Sequence, residues 1–325
     1  MSSSIVCGVD GSDESLTAAA VAAGLCERLG TTLLLAHVYE ASTTFPYGNE
    51  AQLARHRRHV NAEMMRAFER IERDFSQLDV EGRVLDGTPP EALAALAAEE
   101  EAALLVVGSR GRGALRAALL GSVSSAVVRA SDRPVVIVPP DAAPEHKVEA
   151  RESSVIVCGV DRSEEAKNAA RVASHLAAAL RLELVLLHAY ASGPAGAAVP
   201  APGAAPPISY EDVEVRQHEG ARELLEQVAR DVEAGPSVTV RVEADDPASA
   251  LDRCAEAENA ELIVVGTHGH GPLVSVLLGS TSSRLAASAS RPVVLVPKGA
   301  RVNHSSQSHR RPRPTGSRSE RGAAA

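Results

Sequence analysis

The chain has 325 residues, enough for two domains of about 150 residues each, and 45% of it is hydrophobic. Aromatic residues make up 2% and Trp is absent, so any core must be built from Ala, Val and Leu. A net charge of -9 argues against a general nucleic-acid binder, four cysteines are too few for a disulfide scaffold, and no apolar run approaches the ~20 residues of a membrane span.

The first residues, "MSSSIVCGVDGS", lack a basic region followed by a long apolar one, so a cytoplasmic protein is expected. "IVCGVD" is a continuous apolar run, as in a strand buried on both faces. "SDESLTAAAVAAGLCERLG" predicts a helix stopped by Gly30, and "TLLLAHVY" a second strand. Met64 to Phe75 lies on a long amphipathic helix, "VEGRVLD" is a weaker strand, and "PPEALAALAAEE" is a helix opened by prolines. "ALLVVGS", "GSVSSAVVRAS" and "PVVIVP" predict a strand, a helix and a fifth strand. Cys7 and Cys158 lie within the apolar runs and read as buried thiols.

The pattern then repeats. Asp10 recurs as Asp161 and His37 as His188, 151 positions on. Gly108, Gly121 and Pro134 recur as Gly266, Gly279 and Pro292, 158 positions on, so the second copy holds seven more residues in between. "ASGPAGAAVPAPGAAPPISY" accounts for them and reads as a mobile loop. The expected division is a first domain over 1–141, a linker over 142–153, a second domain over 154–298 and a disordered basic tail over 299–325. Strands alternating with helices imply an α/β fold: two tandem copies of a five-stranded, parallel, doubly wound, Rossmann-like domain.

One pattern carries chemistry. Gly108, Gly111, Gly121 and Ser122 share their spacing with Gly266, Gly269, Gly279 and Ser280. Each set starts where a strand ends and finishes where a helix opens. Ligands of open α/β sheets bind at such ends, and a helix start offers N–H groups and partial positive charge to a phosphate. Glycines let the backbone come close to an anion. Ser122 and Ser280 are expected as N-caps or phosphate donors, with Ser124 and Ser282 as second donors. A Walker-type loop needs a Lys before Ser or Thr, and G-x-G-x-x-G should follow the first strand; neither is present.

This spacing, "GVDGS" after the first strand and the "RPVVIVP" ending resemble the universal stress protein family, over nearly everything from Ile5 to Pro297. The resemblance implies a tandem member of the ATP-binding subgroup. It implies adenosine nucleotide on the glycine loop, with Mg²⁺ accompanying the nucleotide. Asp10 and the Val38 main chain would hold the nucleoside side in the first copy, Asp161 and Ala189 in the second. It also implies that "VVIVP" and "VVLVP" pair, making an intramolecular pseudo-dimer. A homodimer of the whole chain and an unidentified protein partner are further expectations.

Other residues read less chemically. Asp10 and Asp161 also suit a turn before a helix, and His37 and His188 suit packed or hydrogen-bonded positions. His268 and His270 lack an evident third metal ligand, and "RHRRH" from Arg55 reads as a solvated face. No general base and no Lys aimed at phosphates stands out, so an enzyme is not expected, although slow ATP hydrolysis and a structural module with vestigial pockets are alternatives. Asp245 stands where the first copy has Gly87, beside Asp246, and this added negative charge is expected either to weaken phosphate binding in the second copy or to demand a divalent ion.

Overall fold

The computed structural model describes residues 4–39, 62, 64–111, 120–140, 155–190, 210–232, 235, 237–268 and 278–300. The Pro/Ala/Gly segment, the linker, the C-terminal tail, "RHRRH", Gly269 and His270 lie outside the described residues.

In the first half, β1 (Ser4–Gly8), α1 (Asp13–Leu29), β2 (Thr32–Tyr39), α2 (64–74), β3 (Val80–Asp86), α3 (Pro89–Glu99), β4 (Leu104–Gly108), α4 (Ser122–Ala130) and β5 (Val135–Val138) follow in order. The second half repeats them as β6 (Val155–Gly159), α5 (Glu164–Leu180), β7 (Glu183–Ala189), α6 (Tyr210–Asp231), β8 (Val238–Glu243), α7 (Pro247–Ala257), β9 (Leu262–Gly266), α8 (Ser280–Ser288) and β10 (Val293–Val296).

Local chemistry sets the boundaries. Ser12 caps α1 by accepting from the Ser15 amide, and Gly30 ends it in the left-handed conformation, φ 63°. Ser163 caps α5 in the same way, but there Arg181 takes the left-handed position, φ 58°. α3 and α7 both open on proline, whose missing N–H is no loss in a first turn.

Each half has strand order 3-2-1-4-5, and all pairings inside a half are parallel. The halves join where β5 meets β10 antiparallel, which fuses them into one ten-stranded sheet. Val136 lies opposite Val294, its own counterpart in the repeat, and the flanking pairs are Val135 with Leu295 and Ile137 with Val293. The pseudo-twofold axis therefore passes through the Val136–Val294 pair.

Strand residues alternate between two core layers, as a sheet covered on both faces requires. One layer holds Ile5, Cys7, Val136 and Val294 under α1, α2, α5 and α6. The other holds Val6, Val135, Ile137 and Leu295 under α3, α4, α7 and α8. Both layers run through the junction without a break. Arg28 of α1 also crosses it: Nη2 donates to the Leu180 carbonyl at 2.8 Å, and Nη1 pairs with Glu261. The repeat places Ala179 and Ala103 at the matching positions, so this contact is made once.

Candidate functional site

The strand order reverses direction between β1 and β4, and the crevice at their carboxyl ends is where open α/β sheets bind ligands. A cavity of about 370 Å³ lies there in the first half. Asp10, Val38, Gly108, Gly111, Gly121, Ser122 and Ser124 all line it. The structure thus brings together the seven first-copy residues singled out by spacing and resemblance.

β1 ends at Gly8, and two residues on, the Asp10 carboxylate folds back on the turn before α1. Its Oδ1 accepts from the Ser12 amide at 3.0 Å and from the Ser12 hydroxyl. Asp161 does the same with Ser163, amide to Oδ1 2.9 Å. The turn reading and the crevice reading of this aspartate therefore coexist in one side chain. A Cβ on Gly111 would stand 2.6 Å from Asp10 Oδ2, so the loop glycine and the strand-end carboxylate are in direct contact.

Gly108 has a different reason to be glycine. Its Cβ would stand 3.2 Å from the Glu14 carbonyl oxygen, because the first turn of α1 crosses the end of β4. Gly266 meets the Glu165 carbonyl oxygen at the same 3.2 Å. Helix packing by itself therefore requires glycine at these two strand ends.

The serines behave differently from expectation. The N-caps of α4 and α8 are Gly121 and Gly279, with no side chain capping either helix. Ser122 and Ser280 are the first helical residues, one position inside the cap, and both are exposed. Ser124 is buried, and its hydroxyl donates to the Gly108 carbonyl at 2.7 Å. Ser282 is buried likewise, donating to the Thr267 carbonyl at 3.1 Å. These inner hydroxyls pin the helix to the strand end. The loop is fixed further by the Gly121 amide on the Ser109 carbonyl, 2.8 Å, repeated by Gly279 on Thr267, 2.8 Å.

The cavity wall includes residues that the spacing did not single out as ligand contacts: Ser15, His37, Pro89, Leu93, Arg110 and Val123. Leu93 and Pro89 read only as helix core and helix start. Their signal was the position of α3 beside β1, which sequence periodicity does not give. Among the described lining residues, Arg110 brings a permanent cation to the first cavity, where the second half has His268.

In the second half, Asp161 lines a cavity of about 350 Å³ with Arg162, His188, Tyr190 and Gln217, on the α6 side of the sheet edge. The His188 Nδ1 lies 2.7 Å from the Val160 carbonyl. A carbonyl only accepts, so Nδ1 is the donor in this bond. Ala189 ends β7 opposite Glu243 of β8. Asp245 and Asp246 do not stand as bare charge: Asp245 pairs with Arg253, and Asp246 Oδ1 lies 2.7 Å from Arg284 Nη1. The Arg253 hydrogen bond, foremost, holds the Asp245 carboxyl below the usual range, and the Ser249 amide does so for Asp246. The expected penalty from unbalanced negative charge is therefore largely offset by these arginines.

Among the described residues, no group of three or more His, Cys, Asp or Glu is placed to hold a metal, and no helix is long and apolar enough to cross a membrane.

The family model "Universal stress protein family" matches residues 1–139 and again 153–297. This chain belongs to the universal stress protein family. A universal stress protein of Mycobacterium tuberculosis is 32% identical over 304 residues, covering 90% of this chain and 96% of that protein. A second one from the same organism is 30% identical over 313 residues, covering 90% and 94%. The crystal structure of a universal stress protein from Archaeoglobus fulgidus superposes with a TM-score of 0.63 at 20% identity, covering 91% of this chain and 96% of that one. The relatives thus share the tandem length of this universal stress protein, and the solved structure shares its fold.

Proposed function

We propose that this universal stress protein binds an adenosine nucleotide at each sheet-edge crevice, with Mg²⁺ carried on the phosphates, and acts in a stress response by changing a partner or oligomer surface with its nucleotide state. The observation that carries the reading is the first cavity. It sits at the strand-order reversal, lined by glycine backbone, by the open N-terminus of α4 and by Asp10. Backbone N–H groups and a helix start suit phosphate oxygens, and the exposed Ser122 hydroxyl adds a donor. Asp10 and Val38 line the same cavity, and by the family resemblance the nucleoside would lie against them.

The chain's residues fit a nucleotide-borne Mg²⁺ better than a protein-held one. Asp10 is the one carboxylate among the described residues of the cavity wall, and its Oδ1 is engaged by Ser12. Mg²⁺ is commonly held by substrate phosphates and waters with few protein ligands. The described wall favours binding over turnover: among its described residues it offers the cation Arg110 but no Lys and no second carboxylate to serve as a base.

Isothermal titration with ATP–Mg²⁺ tests the reading. Saturable binding that is lost from the first site in Asp10→Ala supports it; heats no larger than dilution would overturn it. ATP turnover that is robust in the wild type and abolished by Gly121→Ala would move the reading to an enzyme.

A further inference from the structure

The second half departs from the first where α7 and α8 start, at Pro247 and Ser280, whose first-half counterparts Pro89 and Ser122 line the first cavity. α7 opens at its N-cap Asp246, whose Oδ1 accepts from the Ser249 amide at 3.0 Å. The same oxygen lies 2.7 Å from Arg284 Nη1. Arg284 stands on α8, one turn beyond Ser280, and its Nη2 donates to Ser249 Oγ at 3.2 Å. One guanidinium therefore joins the first turn of α7 to the helix whose start faces the crevice.

The first half has no such join. Thr88 and Ala126 occupy the matching positions, and Thr88 gives its hydroxyl to Glu91 within its own helix. Pro89, next to Thr88, and Val123, three residues before Ala126, border the first cavity. In the second half Asp245 is separately paired with Arg253, so the Asp246–Arg284 pair is not a by-product of one local charge excess.

We propose that Asp246 and Arg284 form a tie across the rim of the second crevice, and that this tie makes the second site the weaker of the two for a nucleoside polyphosphate. The inference rests on the nucleotide reading above. A ligand entering between the α7 start and the α8 start meets a wall that is already fastened, whereas the first crevice has an unfastened one. A polyanion also competes with Asp246 for the Arg284 guanidinium. Both partners are about half exposed, 55% and 44%, so the effect is modest: about two- to fivefold in affinity at physiological salt. It should shrink as salt rises, because an exposed pair is screened.

The test gives the second half the first half's residues, Asp246→Thr with Arg284→Ala, in the full chain. Thr still serves as an N-cap for α7. The background is Asp10→Ala, so that calorimetry with ATP–Mg²⁺ reads the second site. The expected result is two- to fivefold tighter binding at low salt, with the difference from the parent fading at high salt. Arg284→Lys, which keeps a cation and perturbs packing less, should stay near the parent. Unchanged affinity in the double variant overturns the inference, and weaker affinity overturns it too, by making Arg284 a phosphate-binding group. Hydrogen exchange without ligand supplies a second reading: amides over 280–284 should exchange faster in the double variant, while those over 122–126 stay as they were. Unaltered exchange over 280–284 would show that no tie exists. If the wild-type chain takes up no nucleotide at either half, the nucleotide reading itself has failed. Equal constants at the two halves of the wild type remove the rim inference alone.

Discussion

Asp10 sits at the meeting of two demands. Its Oδ1 holds the turn into α1 through Ser12, while its Oδ2 touches the space above Gly111. A short acidic side chain satisfies both, and the same arrangement at Asp161 and Ser163 shows that it belongs to the repeat unit. Residues of the opposite character are the thiols. Burial pushes the Cys26 thiol up to about 12, and it pushes Cys7 and Cys158 higher still. The thiolate is the reactive form, so these three should be inert in the folded protein. Treatment with a thiol reagent at pH 8, followed by intact-mass analysis, should leave Cys7, Cys26 and Cys158 unmodified until denaturant is added. Rapid labelling of all three in native buffer would contradict the packing described. Their burial was legible from the apolar runs around Cys7 and Cys158. Cys26 was not singled out, because a cysteine on an amphipathic helix carries no sign of which face it takes.

At the scale of elements, glycine positions separate packing from access. A Cβ on Gly108 would meet main-chain atoms of Arg110 and Glu14 at 3.1 to 3.3 Å, whereas one on Gly8 would meet the Leu93 Cδ1 at 2.8 Å. A leucine methyl can rotate aside; a helix backbone cannot. Gly108→Ala should therefore cost about 1–3 kcal/mol and more than Gly8→Ala, as overpacking against rigid neighbours does. Urea unfolding of the two variants checks the order, and the reverse order would show that α1 is free to shift. The rim of the second crevice makes a pH prediction. Asp245 and Asp246 both have folded-state values held below the ordinary 3.8, chiefly by the Arg253 hydrogen bond and the Ser249 amide respectively. A depressed carboxylate contributes stability that is present above its unfolded value and lost as pH falls through its folded one. The stability difference between wild type and Asp246→Thr should thus be level from pH 7 to about 4 and shrink below that. A difference that grew on acidification would have the wrong sign.

The element order was readable because every strand but β3 and β8 was largely a Val/Ile/Leu run and most helices carried a start signal. Two signals misled or fell silent for physical reasons. Ser122 and Ser280 looked like caps, yet glycine takes the cap and serine moves one position inside, which leaves the hydroxyls at the mouth. Gly30 announced the end of α1, while Arg181 adopts the same left-handed conformation with no glycine to announce it. The ion pairs of Arg253 and Arg284 were invisible to spacing, because their partners lie on different elements.

Over the whole molecule, the two halves behave as one body. Each core layer passes from β5 to β10 through Val136 and Val294 or through their neighbours, and both central valines are 0% exposed. The family resemblance implied this pairing; the register that centres the axis on Val136 and Val294 came only with the structure. Val294→Asp puts an unpaired charge at that centre, where no partner is available, so a loss above about 4 kcal/mol is expected. Because the layers are shared, probes in the two halves should report one transition, in the wild type and in the variant alike. A variant that melts only its second half would show that the halves are independent. The same duplication gives the central claim its form, since one fold repeated should present two crevices of one kind at opposite ends of a single sheet. Native mass spectrometry in the presence of ATP–Mg²⁺ tests that claim most directly. The account predicts up to two nucleotide increments on the wild-type chain, the first lost on Asp10→Ala and the second on Asp161→Ala. Increments that survive both substitutions together, or none on the wild type at saturating nucleotide, would contradict it.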